Sequence, residues 1–261
     1  MPRTGRKTSN QSGRKPSRNR KTVDDSAQKF KDEIVLGIVA PVGADLKSFE
    51  DLIDRHLPSY GYASNVIKLS NFLKSKEGQA ISGQVIDFST TVARYHTLMT
   101  AGNEVRKRTA RNDFLSQYAI TKIATSRETE TDDLPKPFRG KVHVLHSLKH
   151  KSEVEILREV YGGGFFLIGV YCHEEQRRAH LRRNGADDLE AVELIFRDYN
   201  DNQKFGQQTS KVYELADVFV HLDLDNLEKT SNQLERFLDL IFGNPFRTPT
   251  KDENAMFLAY A

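Results

Sequence analysis

A short turn between an apolar run and an amphipathic run holds residue types that bind phosphate in many proteins. The first apolar run leads straight into residues 37–45, GIVAPVGAD, which contain this turn, and the amphipathic run DLKSFEDLIDRHL starts at Asp45. In a phosphate loop, glycines let backbone N–H groups wrap the phosphates, and the dipole of the following helix adds to the attraction. A lysine reaches the outer phosphates and a serine or threonine binds magnesium. The order of strand, glycine-containing turn and helix therefore predicts a phosphate loop here.

The loop departs from the G-x-x-x-x-G-K-[ST] pattern at the positions that serve phosphotransfer. The two glycine positions hold Ala40 and Asp45, the lysine position holds Leu46, and the hydroxyl position holds Lys47, so that only the internal Gly43 is kept. Asp45 also suits a helix N-cap, and its carboxylate would repel a phosphate. We expect no ordinary kinase chemistry, whereas binding of a nucleotide with magnesium stays open. The candidate contacts in the loop are Ala40, Gly43, Ala44, Asp45 and Lys47.

Two further groups of polar residues are candidates for the same ligand. Asn103 and Arg106 belong to GNEVRKR, which the pattern places after a helix, and arginine forks suit phosphates and planar bases. Ser147 and Lys149 follow the third apolar run, where the carboxyl ends of parallel strands face the ligand crevice. Solvated surface charge and a plain surface loop are the respective alternatives.

A basic stripe after the fourth apolar run includes Arg178 and Arg182. In a nucleotide kinase this region forms a lid whose arginines close on the transferred phosphate. A charged helix that faces solvent is the alternative.

A His-x-Glu match at His173 and Glu175 has the spacing found in zinc deaminases. Those enzymes also require two further thiolate ligands, usually as Pro-Cys-x-x-Cys. Cys172 is the one cysteine in the sequence, so the match is accidental. We therefore predict no catalytic residue and no metal ligand in this chain.

The remaining pattern predicts the elements that would position these residues. Five short β-rich runs, at 34–40, 65–69, 141–145, 165–172 and 218–222, alternate with helical stretches. Runs such as FFLIGVY are apolar throughout, which is typical of strands buried on both faces. Amphipathic stretches at 45–57, 83–101, 112–124 and 226–242 supply the helices. We predict a three-layer α/β fold of the P-loop nucleotide-kinase type, with a mostly parallel five-stranded sheet and helices on both faces.

Composition limits the cellular compartments and the partners that we expect for this domain. The chain has 261 residues, of which 38% are hydrophobic, enough to bury a core. A lone cysteine gives no internal disulfide, and no apolar run reaches the roughly 18 residues of a membrane span. We therefore expect a cytoplasmic protein without a membrane partner.

Charge divides the chain unevenly. Eight of the 39 Lys and Arg residues lie within residues 1–22, which hold no acid, so 31 basic residues face 36 acidic ones in the rest. The tail, residues 1–32, is predicted to be disordered because it has almost no large apolar residue. Such an arm could bind nucleic acid through phosphate contacts, or act only as a solubilising extension.

The sequence indicates a boundary near its C-terminus. Residues 33–243 form the predicted α/β domain, and NPFRTP at 244–249 reads as a linker. Thr250 and Glu253 then form a capping-box pattern that starts a new helix. We expect residues 244–261 to be a linker and the first helix of a second, truncated domain.

Five stretches in order resemble one known family, the two-domain deoxycytidylate (dCMP/dCTP) deaminases of bacterial anti-phage defence. They are GIVAPVGADL, AGNEVRKRTARNDFLSQYAITKIA, HSLKHKSEVEILREVYGGGFFLIGVY, GQQTSKVYELADVFV and TPTKDENAMFLAYA, and they span about residues 33–261. The family joins an N-terminal P-loop-kinase-like domain to a C-terminal zinc deaminase domain. The last stretch resembles the opening of the first deaminase helix.

The resemblance implies a regulatory, nucleotide-binding portion of an enzyme that converts deoxycytidine nucleotides to deoxyuridine nucleotides. It implies zinc in the missing deaminase domain, none in this chain, and a small regulatory RNA as a partner in some systems. Whether this fragment alone is an enzyme, and whether it forms a homo-oligomer, stays open. The alternatives are a divergent nucleotide kinase-like phosphotransferase and a non-catalytic scaffold that binds nucleic acid.

Overall fold

The computed structural model describes residues 33–130, 139–200, 206, 208–244 and 246–260. The predicted disordered tail lies outside the described residues. Within them, no helix combines the length and the apolar content that a membrane crossing requires.

Five parallel strands form one sheet in the order β2-β3-β1-β4-β5. The strands are β1 Ile34–Val39, β2 Ala63–Lys68, β3 Lys141–His146, β4 Phe165–Tyr171 and β5 Val218–His221. Each lies within two residues of a predicted run. Because β1 is central, the loop after it opens at the middle of the carboxyl edge of the sheet, between the loops that follow β3 and β4.

Helices cover both faces of this sheet. They are α1 Leu46–His56, α2 Ser70–Lys74, α3 Lys76–Ser82, α4 Thr91–Thr109, α5 Phe114–Glu130, α6 Lys151–Tyr161, α7 Glu174–Arg183, α8 Asp188–Asn200, α9 Thr209–Tyr213, α10 Leu227–Ile241 and α11 Lys251–Tyr260. Short 3₁₀ turns occur at Leu57–Tyr60 and Gly162–Gly164.

Alternation along β1 explains the three layers. Leu36 and Ile38 face one side and pack in a core with α1 and α10, whereas Val35 and Val39 face the other and pack with α2, α4, α5 and α6. A smaller apolar cluster, which includes Leu194, joins α4 to α7 and α8. The predicted three-layer α/β fold, with a five-stranded sheet and helices on both faces, is confirmed, and the sheet is parallel throughout.

The helix predicted at 83–101 is displaced in the structure. It begins only at Thr91, because the Thr90 hydroxyl accepts the N–H of Ala93 at 3.0 Å and caps the helix there. Val85 and Phe88, which the pattern assigned to its apolar face, precede it and are 78% and 60% exposed. The helix also runs on to Thr109, so the GNEVRKR stretch lies inside its last turns and does not follow a helix.

The C-terminal capping box is present as the sequence predicts. The N–H of Glu253 donates to the Thr250 hydroxyl at 3.2 Å, and the Glu253 carboxylate accepts the N–H of Thr250 at 2.7 Å. Arg236 on α10 also donates to this carboxylate. These contacts fix the start of α11.

A buried carboxylate ties α4 and α6 to the loop after β3. Glu153 is fully buried and lies 3.0 Å from the guanidinium of Arg106, itself 1% exposed. Its second oxygen accepts the N–H groups of Lys149 at 2.7 Å and His150 at 3.0 Å. One side chain therefore sets the path of the loop that carries Ser147 and Lys149.

Replacement of this carboxylate should be costly. We expect Glu153→Gln to lower the free energy of unfolding by roughly 3–5 kcal/mol, because it leaves the Arg106 charge buried and unpaired. Urea denaturation measures the effect. Glu155→Gln is the matched control on the same helix, where the ion pair with Lys151 is half exposed and its loss should cost less than about 1 kcal/mol. Equal losses in the two variants would contradict the structural role of Glu153.

Candidate functional site

A cavity of about 600 Å³ opens at the carboxyl edge of the sheet, between the loop after β1 and helices α2 and α4. Its volume lies within the range of small-ligand sites. Six Lys and Arg side chains line it against one acid, Asp45. The cationic residues are Lys47, Lys68, Lys74, Arg94, Arg106 and Lys149. This charge balance favours an anionic ligand.

Four of these six cations are already paired with carboxylates. Lys47 pairs with Asp51, Lys68 with Glu50, Arg106 with Glu153, and Lys149 with Asp198. Each pair reduces the charge that the residue presents to a ligand.

Lys74 and Arg94 are the exceptions. Among the described residues, no carboxylate lies within ion-pair distance of either side chain. Burial lowers the pKa of Lys74, and the nearby positive charges of Arg94 and Lys68 lower it further. An anion between these groups would relieve that repulsion.

An apolar wall stands beside the cationic residues. Leu73, Tyr95, Leu98 and Met99, from α2 and α4, line the same cavity. The Arg94 guanidinium lies 5.4 Å from the centre of the Tyr95 ring. A flat apolar group would find contact area here, and a charged group would find it at the neighbouring cations.

The loop after β1 uses much of its hydrogen-bonding capacity internally. The N–H of Ala44 donates to the carbonyl of Pro41 at 3.2 Å, and that of Leu46 donates to the carbonyl of Ala44 at 2.9 Å. Asp45 caps α1 by accepting the Ser48 hydroxyl at 2.7 Å and its N–H at 3.3 Å. Hydrogen bonds to Ser48 hold the pKa of Asp45 low against the opposing effect of burial. The loop is therefore a capped turn, with its donors turned partly inward.

The glycine in the loop has a packing role. Gly43 has φ +86°, and a Cβ there would lie 2.9 Å from both the carbonyl oxygen and the Cβ of Arg177 on α7. Arg177 also donates to the carbonyl of Val42 at 3.2 Å. Protein thus fills the space between Gly43 and Arg177, whereas His180, farther along α7, lines the cavity.

A buried aspartate binds the same loop from α8. Asp198 accepts the N–H of Val42 at 2.9 Å and the ammonium of Lys149 at 2.8 Å. Lys149 also donates to the carbonyl of Ala40 at 2.8 Å, and Thr209 donates to the aspartate at 3.3 Å. Asp198 and Lys149 together occupy the N–H group of Val42 and the carbonyl group of Ala40 in this part of the loop.

His146, at the end of β3, lies beside this cationic cluster. Burial lowers its pKa to about 4, and the charges of Lys68, Lys149 and Lys74 add to the effect. Glu50 on α1 lies 3.5 Å away from its ring and is paired with Lys68. The imidazole is therefore neutral at neutral pH.

The structure brings most of the predicted site residues together. Eight of them line the cavity: Ala40, Gly43, Ala44, Asp45, Lys47, Arg106, Ser147 and Lys149. Ser147 has φ +76°, which keeps the tight turn after β3. As contacts to a nucleotide, all of these stay predictions.

Three predicted residues lie away from the cavity. Arg178 and Arg182 on α7 pair with Asp188 at 3.1 and 3.7 Å. Asn103 accepts from Arg106 at 3.4 Å and faces the buried pair. None of the three lines the cavity, although His180 on the same helix as the two arginines does.

Sequence reasoning missed Lys68, Lys74 and Arg94, and it placed Asp198 in a lid-like region without a partner in the loop after β1. Lys68 ends β2, where the carboxyl-edge rule that drew attention to Ser147 also applies. Lys74 and Arg94 come from different helices, and no local pattern connects them. Asp198 bonds a residue 156 positions earlier.

The residues at the loop do not fit a magnesium ion. The position of the hydroxyl ligand holds Lys47, whose ammonium is turned to Asp51. Nowhere in the described ranges do three His, Cys, Asp or Glu side chains form a group able to hold a metal. A phosphate at this loop would therefore be held by cationic side chains and backbone donors.

No protein-family model and no curated protein matches this chain. Solved structures with similar folds include a shikimate kinase from Bacteroides thetaiotaomicron, at 12% identity and a TM-score of 0.44, covering 79% of this chain and 98% of that one. A gluconokinase from Sinorhizobium meliloti aligns at 12% identity and a TM-score of 0.42, covering 80% and 95%. An uncharacterized protein from Eubacterium ventriosum aligns at 10% and 0.37, covering 79% and 98%. At these identities and scores the likenesses say nothing about activity, and the fold class rests on the strand order and layers.

Gly43 allows a direct test of the packed loop. We expect Gly43→Ala to lower the free energy of unfolding by roughly 1–3 kcal/mol, through the strained backbone and the collision with Arg177. Thermal denaturation measures the loss. Gly185→Ala is the control, because Gly185 also has positive φ but a Cβ there would meet nothing within 4 Å. If both variants lose the same stability, the contact with Arg177 contributes nothing.

His146 predicts a pH dependence of stability. Folding lowers the pKa of His146 from 6.5 to about 4. Between these pH values the unfolded chain binds a proton at His146 and the folded chain does not. The free energy of unfolding therefore falls as the pH drops from about 6.5 towards 4. By pH 5 the loss from this one group should be roughly 2 kcal/mol. Urea denaturation at several pH values, for the parent chain and for His146→Gln, isolates the contribution. An unchanged pH profile in the variant would exclude it.

Proposed function

We propose that this chain binds a nucleotide by its phosphate at Lys74 and Arg94, without transferring the phosphate. The observation that carries the proposal is the pair of cations that line the cavity with no carboxylate among the described residues to neutralise them. Two such cations in the lining of a partly apolar cavity suit a phosphate monoester, which carries about −1.5 to −2 charges at pH 7. Lys68 lines the same cavity, although it is paired with Glu50.

The apolar wall supports a nucleotide over a bare phosphate. Leu73, Leu98 and Met99 offer area for a base or sugar, and Tyr95 offers an aromatic ring. Aromatic rings stack on bases with little sequence preference. The class of ligand is therefore a phosphate joined to a flat, mostly apolar group.

Phosphotransfer has less support than binding. Lys47 is engaged by Asp51, and Lys149 is engaged by Asp198 and the carbonyl of Ala40. Neither lysine is placed to follow a moving phosphoryl group while these bonds persist. The divergent-kinase alternative requires one of them to be released.

A regulatory role in a deoxycytidine-nucleotide deaminase is the finer form of this proposal. It rests on the five ordered stretches that resemble that family and on the cavity, to whose lining the first three of those stretches contribute residues. GIVAPVGADL contributes the loop after β1, and HSLKHKSEVEILREVYGGGFFLIGVY contributes the loop after β3. In this role, the occupancy of the site follows the nucleotide concentration and regulates the activity of a zinc-dependent deaminase domain. Regulation by a small RNA, binding of nucleic acid by the basic tail, and self-association stay predictions.

Isothermal titration of the full chain with dCMP tests the binding site. We expect measurable binding that is weakened at least roughly tenfold by Lys74→Ala and by Arg94→Ala, since each removes a charge-assisted hydrogen bond to phosphate. Lys107→Ala is the matched control, because Lys107 lies on the same helix as Arg94, is exposed, and does not line the cavity. Equal affinity in all four proteins would exclude this phosphate position.

The same titration with dTMP, dAMP and CMP tests the finer proposal. A preference for dCMP supports the deaminase-linked role. Equal binding of every nucleotide leaves the phosphate site intact and removes the argument for deoxycytidine sensing.

A further inference from the structure

The two sides of the loop after β1 have different surroundings. Towards α2 and α4 it borders the open cavity, and at Val42 and Gly43 it is covered by Arg177 from α7 and Asp198 from α8. The covering group that contacts a loop N–H is itself an anion. The Asp198 carboxylate accepts the N–H of Val42 at 2.9 Å, and its side chain is 3% exposed.

The charge of this carboxylate is matched by one lysine. Lys149 lies 2.8 Å from Asp198 and has 12% of its side chain exposed. A carboxylate that receives one backbone N–H and one ammonium has the two kinds of partner that a phosphate takes in a phosphate loop. Asp198 therefore stands where a phosphate oxygen would compete for the same donors.

We propose that Asp198 is a built-in occupant of the anion position on this loop, so that the cavity accepts a ligand with a single phosphate and excludes a triphosphate chain. This specificity rests on the proposed nucleotide site. One phosphate is satisfied by Lys74 and Arg94, with Lys68 beside them. Further phosphates would have to reach the loop, where they meet a buried negative charge and a lysine already neutralised by it.

The covering layer makes this arrangement stable. Thr209, from α9, donates to the Asp198 carboxylate at 3.3 Å, and Arg177 donates to the carbonyl of Val42 at 3.2 Å. Leu194 and Leu181, both fully buried, anchor α8 and α7 in the same apolar cluster. To admit further phosphates at the loop, the protein would have to move packed helices or lose the charge of Asp198.

Asp198→Asn removes the negative charge of the side chain and keeps its size and shape. The amide oxygen keeps an acceptor for the N–H of Val42, while Lys149 loses its counter-charge and becomes available to phosphate. We expect binding of dCTP and of inorganic tripolyphosphate to strengthen at least roughly tenfold, because like charges brought together in a buried site repel strongly. Binding of dCMP should change by less than about twofold.

Two further variants complete the test. Asp198→Glu keeps the charge and should show no gain for dCTP or tripolyphosphate. Lys149→Met added to Asp198→Asn should abolish the gain. Circular dichroism confirms that each variant is folded before titration.

The outcomes distinguish this inference from the binding proposal. If the parent chain binds dCTP as tightly as dCMP, or if Asp198→Asn gains nothing for either polyphosphate, the role of Asp198 is overturned while the monophosphate site stands. If dCMP fails to bind but Asp198→Asn gains tripolyphosphate through Lys149, the proposed nucleotide site falls and the occupied loop is supported. The parent measurement with dCMP and dCTP needs no variant, so a folding failure does not leave the inference untested.

Discussion

The buried carboxylate of Glu153 is the contact on which the rest of the site depends. It neutralises Arg106 at 3.0 Å and holds the N–H groups of Lys149 and His150. A charge this deep is tolerated only when its lone pairs are satisfied, and here all its partners are donors. The turn after β3 is therefore fixed in one path, and Lys149 projects from it toward the central strand.

That fixed path explains why the loop after β1 is closed on one side. Lys149 reaches the carbonyl of Ala40 at 2.8 Å, and its remaining charge attracts Asp198 from α8. Asp198 then takes the N–H of Val42, while Gly43 lets α7 approach within contact distance. A chain of polar contacts thus runs from α4 through α6 and both loops to α8. The loop after β1 is thus a contact surface for the protein's own helices α7 and α8.

The sequence predicted the scaffold well because its signals are local. Buried parallel strands are short apolar runs, and the Asp45 cap and the Thr250–Glu253 capping box need only a few neighbouring residues. The apolar residues Val85 and Phe88 made the predicted helix start too early, because apolar periodicity does not show where a hydroxyl group caps a helix. The site was predicted only in part. Loop residues such as Ser147 follow from strand ends, whereas the pairing of Asp198 with Val42 spans 156 residues and follows from no local pattern.

The distribution of charge around the cavity argues for a ligand independently of the loop. Lys68, Arg106 and Lys149 each have a carboxylate partner, as the free energy of folding requires of partly buried cations. Lys74 and Arg94 have none within the described residues, and burial lowers the pKa of Lys74, with a further contribution from the charges of Arg94 and Lys68. Two unneutralised cations beside apolar side chains do not stabilise the fold. An anion from solution would interact favourably with both cations, so we expect a ligand to bind in the cavity beside the loop after β1.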